Sequence, residues 1–406
     1  MPQDTLTILL AGGSGQRLQP LTADRAKPAV PFGGKYRIID FTLSNCLHSG
    51  VHRILVLTQY KYHSLQKHLR DGWSIFNPER GEYITMVPPQ MRSGASWYAG
   101  TADAIYQNLF LLERSRAKKV LILAADHIYR MDYAALINAH AEKKADLTVA
   151  CMKVPLNEAH AFGVMSVDED MKIIEFQEKP HHPFAIPGEP EAALASMGVY
   201  VFSTDALLNE LRADHEFPNS SHDFGKDIIP LMIQTHKVHA YRFGGSRGRV
   251  TQDRYWRDVG TIDSYYEANM DLLKPVPPLN LYQHDWAIRT YHSQSPPARM
   301  VPSENGVDGQ LTNSILGSGT VILGGIVRNS VLSSRVRVEE GAVVEDSLVF
   351  DHVTIGQGAH LRHCIIDKGV SIPPGEKIGL DEAKDLERFT ISEKGVIVVS
   401  KQYHFC

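Results

Sequence analysis

A repeat in the last quarter of the chain restricts the fold more than any other feature. Four rows can be written in register, NSILGSGTVILGGIVR from Asn313, NSVLSSRVRVEEGAVVE from Asn329, DSLVFDHVTIGQGAHLR from Asp346 and HCIIDKGVSIPPGEKIG from His363, at offsets of 16, 17 and 17 residues. The third residue of each row is aliphatic (Ile315, Val331, Leu348, Ile365), as is the tenth (Ile322, Val338, Ile355, Ile372), and the thirteenth is glycine (Gly325, Gly341, Gly358, Gly375). A period of about 17 residues is three hexapeptides, one coil of a parallel β-helix whose aliphatics point inward and whose glycines ease the corners. One coil cannot bury its own apolar face, so stacking and a capped end are required. A β-sandwich with accidental spacing has no reason to place a glycine at the same position of every row.

The first two-thirds reads differently. Leu6–Leu10, Arg53–Leu57, Val120–Ala125, Asp146–Cys151 and Met197–Phe202 are short apolar runs of the kind covered on both faces of a sheet. Thr101–Arg116, Tyr133–Lys144 and Asp205–Arg212 carry helical spacing, the second of them behind Asp132 as N-cap. Strand alternating with helix predicts an α/β fold with a mixed, mostly parallel sheet, whose ligands sit beyond the carboxyl ends of the strands. Six prolines between Pro275 and Pro302 crowd an aperiodic stretch that reads as an ordered but irregular linker. The expected division is residues 1–274, a linker over 275–302, and the β-helix over 303–406, consistent with a chain of 406 residues.

Lys and Arg number 42 against 46 Asp and Glu, so there is no basic excess to suggest a nucleic-acid partner. Cys46, Cys151, Cys364 and Cys406 form no CxxC pair, which argues against a zinc cluster or a disulfide framework and fits a reducing cytoplasm. The apolar runs are strand-sized, against the ~20 residues that cross a bilayer. The start, MPQDTLTILL, carries Asp4 and lacks the basic n-region of a secretory signal. The expectation is a cytoplasmic protein with no membrane partner.

Three motifs could carry chemistry. Ala11–Leu18 follows the first strand, and its Gly12, Gly13 and Gly15 allow backbone N–H groups close to phosphate oxygens, while Arg17 and Lys27 bring positive charge. It is not a dinucleotide fingerprint, because Leu18 stands in place of the last glycine; nor is Gly33-Gly34-Lys35 a Walker A loop, because Tyr36 follows it. Asp126, at the end of the run Val120–Ala125, is placed to hold Mg²⁺ against a triphosphate, and Asp258 offers another carboxylate in Trp256–Thr261. Spacing alone does not bring the two together. Glu178 and Lys179 offer an acid for sugar hydroxyls and a point charge for phosphate, although a solvated surface pair has the same sequence. Arg247, Arg249, Arg254 and Arg257 make a basic stretch with no basic domain around it.

LLAGGSGQRLQPLTADRAKPAVPFGGKYRIIDFTLSNC (Leu9–Cys46), WYAGTADAIYQN, LAADHIYRMDY, FQEKP, LASMGVYVF, HDFGKDIIP and YWRDVGT resemble, in order, the bacterial glucose-1-phosphate adenylyltransferases, the ADP-glucose pyrophosphorylases. The glycine-rich motif alone would indicate only the wider nucleotidyl-sugar pyrophosphorylase class. RAKPAVPFGGKYRIIDF together with YWRDVGT narrows it to the adenylyl member. The resemblance implies a Rossmann-like nucleotidyltransferase domain followed by a left-handed β-helix of hexapeptide repeats. It implies the reaction of ATP with α-D-glucose 1-phosphate to give ADP-glucose and pyrophosphate, with Mg²⁺, on the route to glycogen.

By matching motifs, Gly12, Gly13, Arg17 and Lys27 would hold the triphosphate, with Gln59, Gly100 and Thr101 near the adenine. Tyr98, Gly163, Glu178, Lys179, Ser196, Asp223, Phe224 and Trp256 would line the nucleotide-sugar site, and Asp126 and Asp258 would hold Mg²⁺. Arg17, Asp126 and Lys179 would be the catalytic set. Ala125 replaces a glycine usual in the family, and its methyl is expected to crowd the site slightly. The resemblance further implies a homotetramer and phosphorylated metabolites as effectors, at a cleft with Arg25, Arg37, Lys368 and Lys401. Asp24 and Pro31 stand where bisphosphate-activated members tend to carry Lys and His. Three rivals stay open: a uridylyl- or thymidylyltransferase on the same fold, a non-catalytic regulatory subunit, and an acyltransferase using His352, His360 or His363.

Overall fold

The computed structural model describes residues 4–90, 97–250 and 254–405. Nine strands form the main sheet: β1 (Thr5–Leu10), β2 (Arg53–Leu57), β3 (Tyr83–Val87), β4 (Lys119–Ala124), β5 (Leu147–Pro155), β6 (Gly163–Val167), β7 (Ile173–Glu178), β8 (Ala192–Ser203) and β9 (Val238–Arg242). The order is β7-β6-β8-β4-β1-β2-β3, with β5 also on β8 and β9 on β5. Only β7 and β8 run against the other seven, so the sheet is mixed and mostly parallel. Leu6 and Ile8 of β1 enter one buried cluster and Leu9 the other, because successive side chains of a strand face opposite sides.

Two expected elements differ. The run Met197–Phe202 is the second half of the twelve-residue β8, which bulges between Ser196 and Tyr200 around Gly198 at φ 66°. The helix expected over 101–116 is two helices, Thr101–Tyr106 and Leu109–Ser115. The Asn108 amide at the break donates to the Ala104 carbonyl at 2.9 Å and to the Tyr98 hydroxyl at 3.1 Å, local bonds that compete with continuation of the helix.

The C-terminal part is a three-sided prism of parallel sheets, one strand per coil on each face. The tenth residues of the rows stack directly, Ile322 on Val338 on Ile355 on Ile372, and face the interior as expected. The third residues do not. Val331, Leu348 and Ile365 face outward, in a cluster with Phe32, Tyr265 and Tyr266 of the N-terminal body, while their neighbours Leu332, Val349 and Ile366 fill the prism. The alternating faces of a strand make both assignments necessary. The row-opening residues Asn313, Asn329, Asp346 and His363 all adopt left-handed backbone, a conformation that Asn and Asp tolerate best. Asn313 donates to Asn329 at 2.9 Å and Asn329 to Asp346 at 2.5 Å, so the corners form a ladder. The open end is closed by the helix Glu382–Arg388 and packed Phe389, Tyr403 and Phe405.

The proline-rich stretch is a strap against the N-terminal body, and Arg299–Val301 at its end is already a prism strand. Trp286 is fully buried, donates its indole N–H to Asn45 at 2.9 Å and lies under the Arg249 guanidinium at 4.7 Å. Arg130 donates to Gln283 at 2.8 Å. Cys46, Cys151 and Cys364 are buried free thiols, and Cys406 lies outside the described residues. Among the described residues no helix is long and apolar enough to cross a membrane.

Asp40, with no solvent exposure, joins these parts. Its carboxylate accepts from His68 at 2.6 Å, Trp73 at 2.8 Å, the Arg37 backbone at 2.8 Å and Thr290 of the strap at 2.6 Å. Asp40→Ala would strand buried donors, and the expected loss is about 3–5 kcal/mol. That loss should appear as an apparent melting temperature lower by roughly 5 °C or more.

Candidate active site

A cavity of about 680 Å³ opens at the carboxyl ends of β1, β2 and β4, where Leu10, Leu57 and Ala124 line it. Gly12 to Arg17 form one wall, and Lys27, Gln59, Tyr98, Gly100, Thr101, Asp126 and Asp223 the others. Gly15 turns the loop at φ 63°, and its carbonyl accepts the Thr22 hydroxyl at 2.8 Å. Gln59 accepts the Tyr98 N–H at 3.2 Å. Gly100 has no room for a side chain: a methyl there would overlap the Ser221 and His222 carbonyls, and the His222 carbonyl holds the N–H of Ala102 at 2.8 Å. Thr101 donates to Asp223 at 2.9 Å and accepts the Phe224 N–H at 3.1 Å.

A short antiparallel ribbon, His127–Tyr129 with Trp256–Asp258, answers the question spacing left open. Its register pairs Asp258 with His127 and so brings Asp258 beside Asp126. Lys27 lies between the carboxylates, 2.9 Å from Asp126 Oδ2 and 3.1 Å from Asp258 Oδ1. Burial disfavours its charge, but the two carboxylates outweigh burial and raise its pKa above the ordinary lysine value. Burial would likewise raise the Asp126 carboxyl, but Lys27 and then His127 hold it well below the usual range. Ligand atoms of Asp126, His127 and Asp258 lie within 4.8 Å of one another, and an ammonium already occupies a cation's place between two of them. Carboxylate oxygens with one imidazole suit a divalent ion such as Mg²⁺ or Mn²⁺.

The sugar-side residues are spread along β6, β7 and β8. Gly163 pairs with Glu178 across the sheet, and a methyl on Gly163 would stand 2.8 Å from the Glu178 carboxylate. Burial raises the Glu178 pKa, and Lys179, 3.5 Å away, only partly opposes the shift. Lys179 takes a left-handed backbone at φ 48°, its N–H bonds to the Phe162 carbonyl at 3.0 Å, and its ammonium stays largely exposed. Ser196 lies at the bulge and accepts the Gly198 N–H at 3.3 Å. Phe224 and Trp256 are both buried. Phe224 packs on Tyr200 and Phe202, and its backbone N–H and carbonyl are held by Thr101 and the Ile229 N–H; Trp256 packs on His127 at 4.7 Å and Phe162 at 5.3 Å. Ala125 is fully buried in the apolar cluster of Leu9 and Leu123 and is not part of the cavity wall, so its methyl does not crowd the site.

Arg25, Arg37, Lys368 and Lys401 form a second cluster where the prism meets the N-terminal body. Arg25 makes a double contact with Asp367 at 2.8 and 3.0 Å. Arg37 and Lys368 share Asp351 at 3.4 and 2.7 Å, and Lys401 lies 3.0 Å from Asp24. The basic stretch disperses: Arg247 pairs with Glu142, Arg257 with Asp271, and Arg249 covers Trp286. Arg254 faces a larger cleft of about 1110 Å³ beside β5 and β9, which holds neither the glycine loop nor the two carboxylates. His363 bonds to Tyr266 at 3.2 Å and His360 lies 3.5 Å from Glu345, so neither opens onto a shared reactive centre.

Ser14, Gln16, Tyr60, Ala104 and Gly260 also line the cavity and carried no assignment from sequence. Gly260 was legible in principle from the motif RDVGT: a methyl there would lie 2.9 Å from Asp258 Oδ2 and 3.1 Å from the Arg17 guanidinium.

A glycine loop at the strand ends, two basic side chains over it and a paired carboxylate define a nucleotidyltransferase, and the nucleotidyl transferase family model matches residues 6–275. The GlmU-like C-terminal hexapeptide model matches residues 296–399. The chain is 61% identical over 403 residues to glucose-1-phosphate adenylyltransferase 2 of Vibrio cholerae, covering 99% of both chains. It is 62% identical to the protein of that name from Vibrio vulnificus, covering 99% of this chain and all of the relative. It is 50% identical to the glucose-1-phosphate adenylyltransferase of Methylobacillus flagellatus, covering 98% and 94%. The chain belongs to the glucose-1-phosphate adenylyltransferase family.

Gly100→Ala is expected to weaken ATP binding by ~10-fold or more, since displacing the 221–222 loop moves Asp223 away from Thr101. Unchanged binding in an ATP titration would remove Gly100 from the nucleotide site.

Proposed function

We propose that the chain transfers AMP from ATP to α-D-glucose 1-phosphate, giving ADP-glucose and pyrophosphate for bacterial α-1,4-glucan synthesis in the cytoplasm. The observation that carries this reading is the convergence of Arg17, Lys27, Asp126 and Asp258 on the glycine-loop cavity, in a chain so similar to relatives of that name.

A phosphate oxygen of the sugar phosphate attacks the α-phosphorus in line, the new O–P bond forms, and the bond to the β-phosphate breaks with its electron pair leaving on pyrophosphate. No group of the chain becomes covalently attached. The work of the residues is therefore positioning and neutralisation of charge. Backbone N–H groups of the glycine loop, Arg17 and Lys27 hold the triphosphate. Gln59, Gly100 and Thr101 border the base. Lys179 grips the sugar phosphate, and Glu178, Ser196, Asp223 and the surfaces around Tyr98, Gly163, Phe224 and Trp256 frame the glucosyl unit. Asp126 and Asp258 would hold Mg²⁺, which would supply further neutralisation of the phosphoryl charge.

Product formation from glucose 1-phosphate with ATP, UTP and dTTP in parallel tests this reading. ATP should be strongly preferred, and preference for either of the others would favour the sister activity. Lys179 makes its contact in ground and transition states alike. Lys179→Ala should therefore raise KM for glucose 1-phosphate by ~10-fold or more, with a smaller effect on kcat and on KM for ATP.

The cluster between body and prism is proposed as an effector site in a homotetramer. Exposed Met300, Val307 and Leu311 on the first coil support assembly through the prism. One buried guanidinium nitrogen of Arg25 has no hydrogen-bond acceptor among the described residues, a donor that an anion admitted to the cluster would satisfy. Four cations there share Asp24, Asp351 and Asp367, which leaves a net charge of only one. Fructose 1,6-bisphosphate should consequently be a weak activator, with monophosphates or other metabolites more effective. Asp24→Lys should shift activation by the bisphosphate to lower concentration. Activation curves check both; strong activation of the unmodified chain at low bisphosphate concentration would contradict the proposal.

A further inference from the structure

Lys27 stands where a metal cation would stand. Its ammonium is 2.9 Å from Asp126 Oδ2 and 3.1 Å from Asp258 Oδ1, and only 10% of the side chain is exposed. His127 Nε2 closes the same group, 3.5 Å from Asp126 Oδ1 and 3.9 Å from Asp258 Oδ1. An ammonium and a divalent ion cannot share this space, because like charges at contact distance repel strongly.

We propose that metal binding at Asp126 and Asp258 is a cation exchange: the divalent ion displaces the Lys27 ammonium, which turns into the adjoining cavity and there becomes a triphosphate ligand. The proposal rests on reading the two aspartates as the metal carboxylates. Lys27 lines the same cavity as the glycine loop, and its backbone is fixed in the short turn Lys27–Ala29 with Pro28, so only the flexible side chain has to move. In the structure the ammonium offsets one of two carboxylate charges; a divalent ion offsets both and frees the lysine. Metal and polyphosphate therefore favour each other's binding through one side chain, since the metal releases the cation that the polyphosphate stabilises. The arrangement also keeps two neighbouring, half-buried carboxylates from facing each other uncompensated before substrates arrive.

Mn²⁺ is the probe, titrated into the full chain without nucleotide and followed by the electron paramagnetic resonance of the free ion. Lys27→Met keeps the stem and removes the charge, and it should bind Mn²⁺ at least ~10-fold more tightly than wild type. Lys27→Arg keeps a competing cation and should show no such gain. Asp258→Asn in the Lys27→Met background should abolish the tight binding. Equal or weaker binding by folded Lys27→Met overturns the exchange while leaving the aspartates as the metal site. Failure of both wild type and Lys27→Met to bind Mn²⁺ overturns the metal-site reading and the exchange with it. The unaltered chain gives an independent measurement: acetylation of Lys27 by an N-hydroxysuccinimide ester, read by peptide mass spectrometry, should speed up severalfold when Mn²⁺ is added. An unchanged or slower rate would overturn the exchange even if the methionine variant does not fold.

Discussion

A carboxylate shut away from water fixes the frame on which the rest depends. Asp40 has four lone-pair directions and four donors, from its own helix start, from His68 and Trp73 of the next helix, and from Thr290 of the strap. A saturated carboxylate in a dry site tolerates no partial arrangement, because each unmet donor or acceptor costs a desolvated polar group. The helix Ile38–His48, the helix His63–Trp73 and the strap are thereby set relative to one another. Arg37, whose backbone N–H is one of the four donors, carries its side chain to Asp351 of the prism. The same few residues therefore hold the core of the body and orient its contact with the β-helix.

That contact combines two kinds of interaction. An apolar strip of Val331, Leu348 and Ile365 meets Phe32, Tyr265 and Tyr266, and buries surface without specifying register closely. The polar contacts supply the register: Arg25 to Asp367, Tyr266 to the Asp346 carbonyl at 2.5 Å, and Arg37 to Asp351. Burial lowers the Lys368 pKa and Arg37 beside it adds to the shift, so this ammonium is held charged there at some cost.

Charge is handled differently at the two sites. The cavity keeps Lys27 against two carboxylates, an arrangement local to one pocket. The interface keeps its charges paired across two parts of the chain, so anything that binds there acts on their relative placement. Lys27 and Arg25, two residues apart, belong one to each.

Local patterns in the chain already determined a large share of this protein. The period of about 17 residues fixed the prism and its stacking, because coil length in a parallel β-helix is set by backbone geometry. The glycine loop, Arg17 and Lys27 are contiguous enough to announce a phosphate site, since a turn and its charges lie within one short segment. Four strands, β3, β6, β7 and β9, went unread from pattern because half-exposed or edge strands lack a continuous apolar run. The split helix at Asn108 was equally invisible, since it turns on where one amide points. The outward turn of Val331, Leu348 and Ile365 needed the fold, because an aliphatic side chain looks the same whether it fills its own prism or covers a neighbour. The meeting of Asp126, Asp258 and Lys27 also needed it. These residues are far apart in the chain, and only the pairing of Trp256–Asp258 with His127–Tyr129 brings their charges to contact distance, where Coulomb energy rather than sequence spacing decides what each one does.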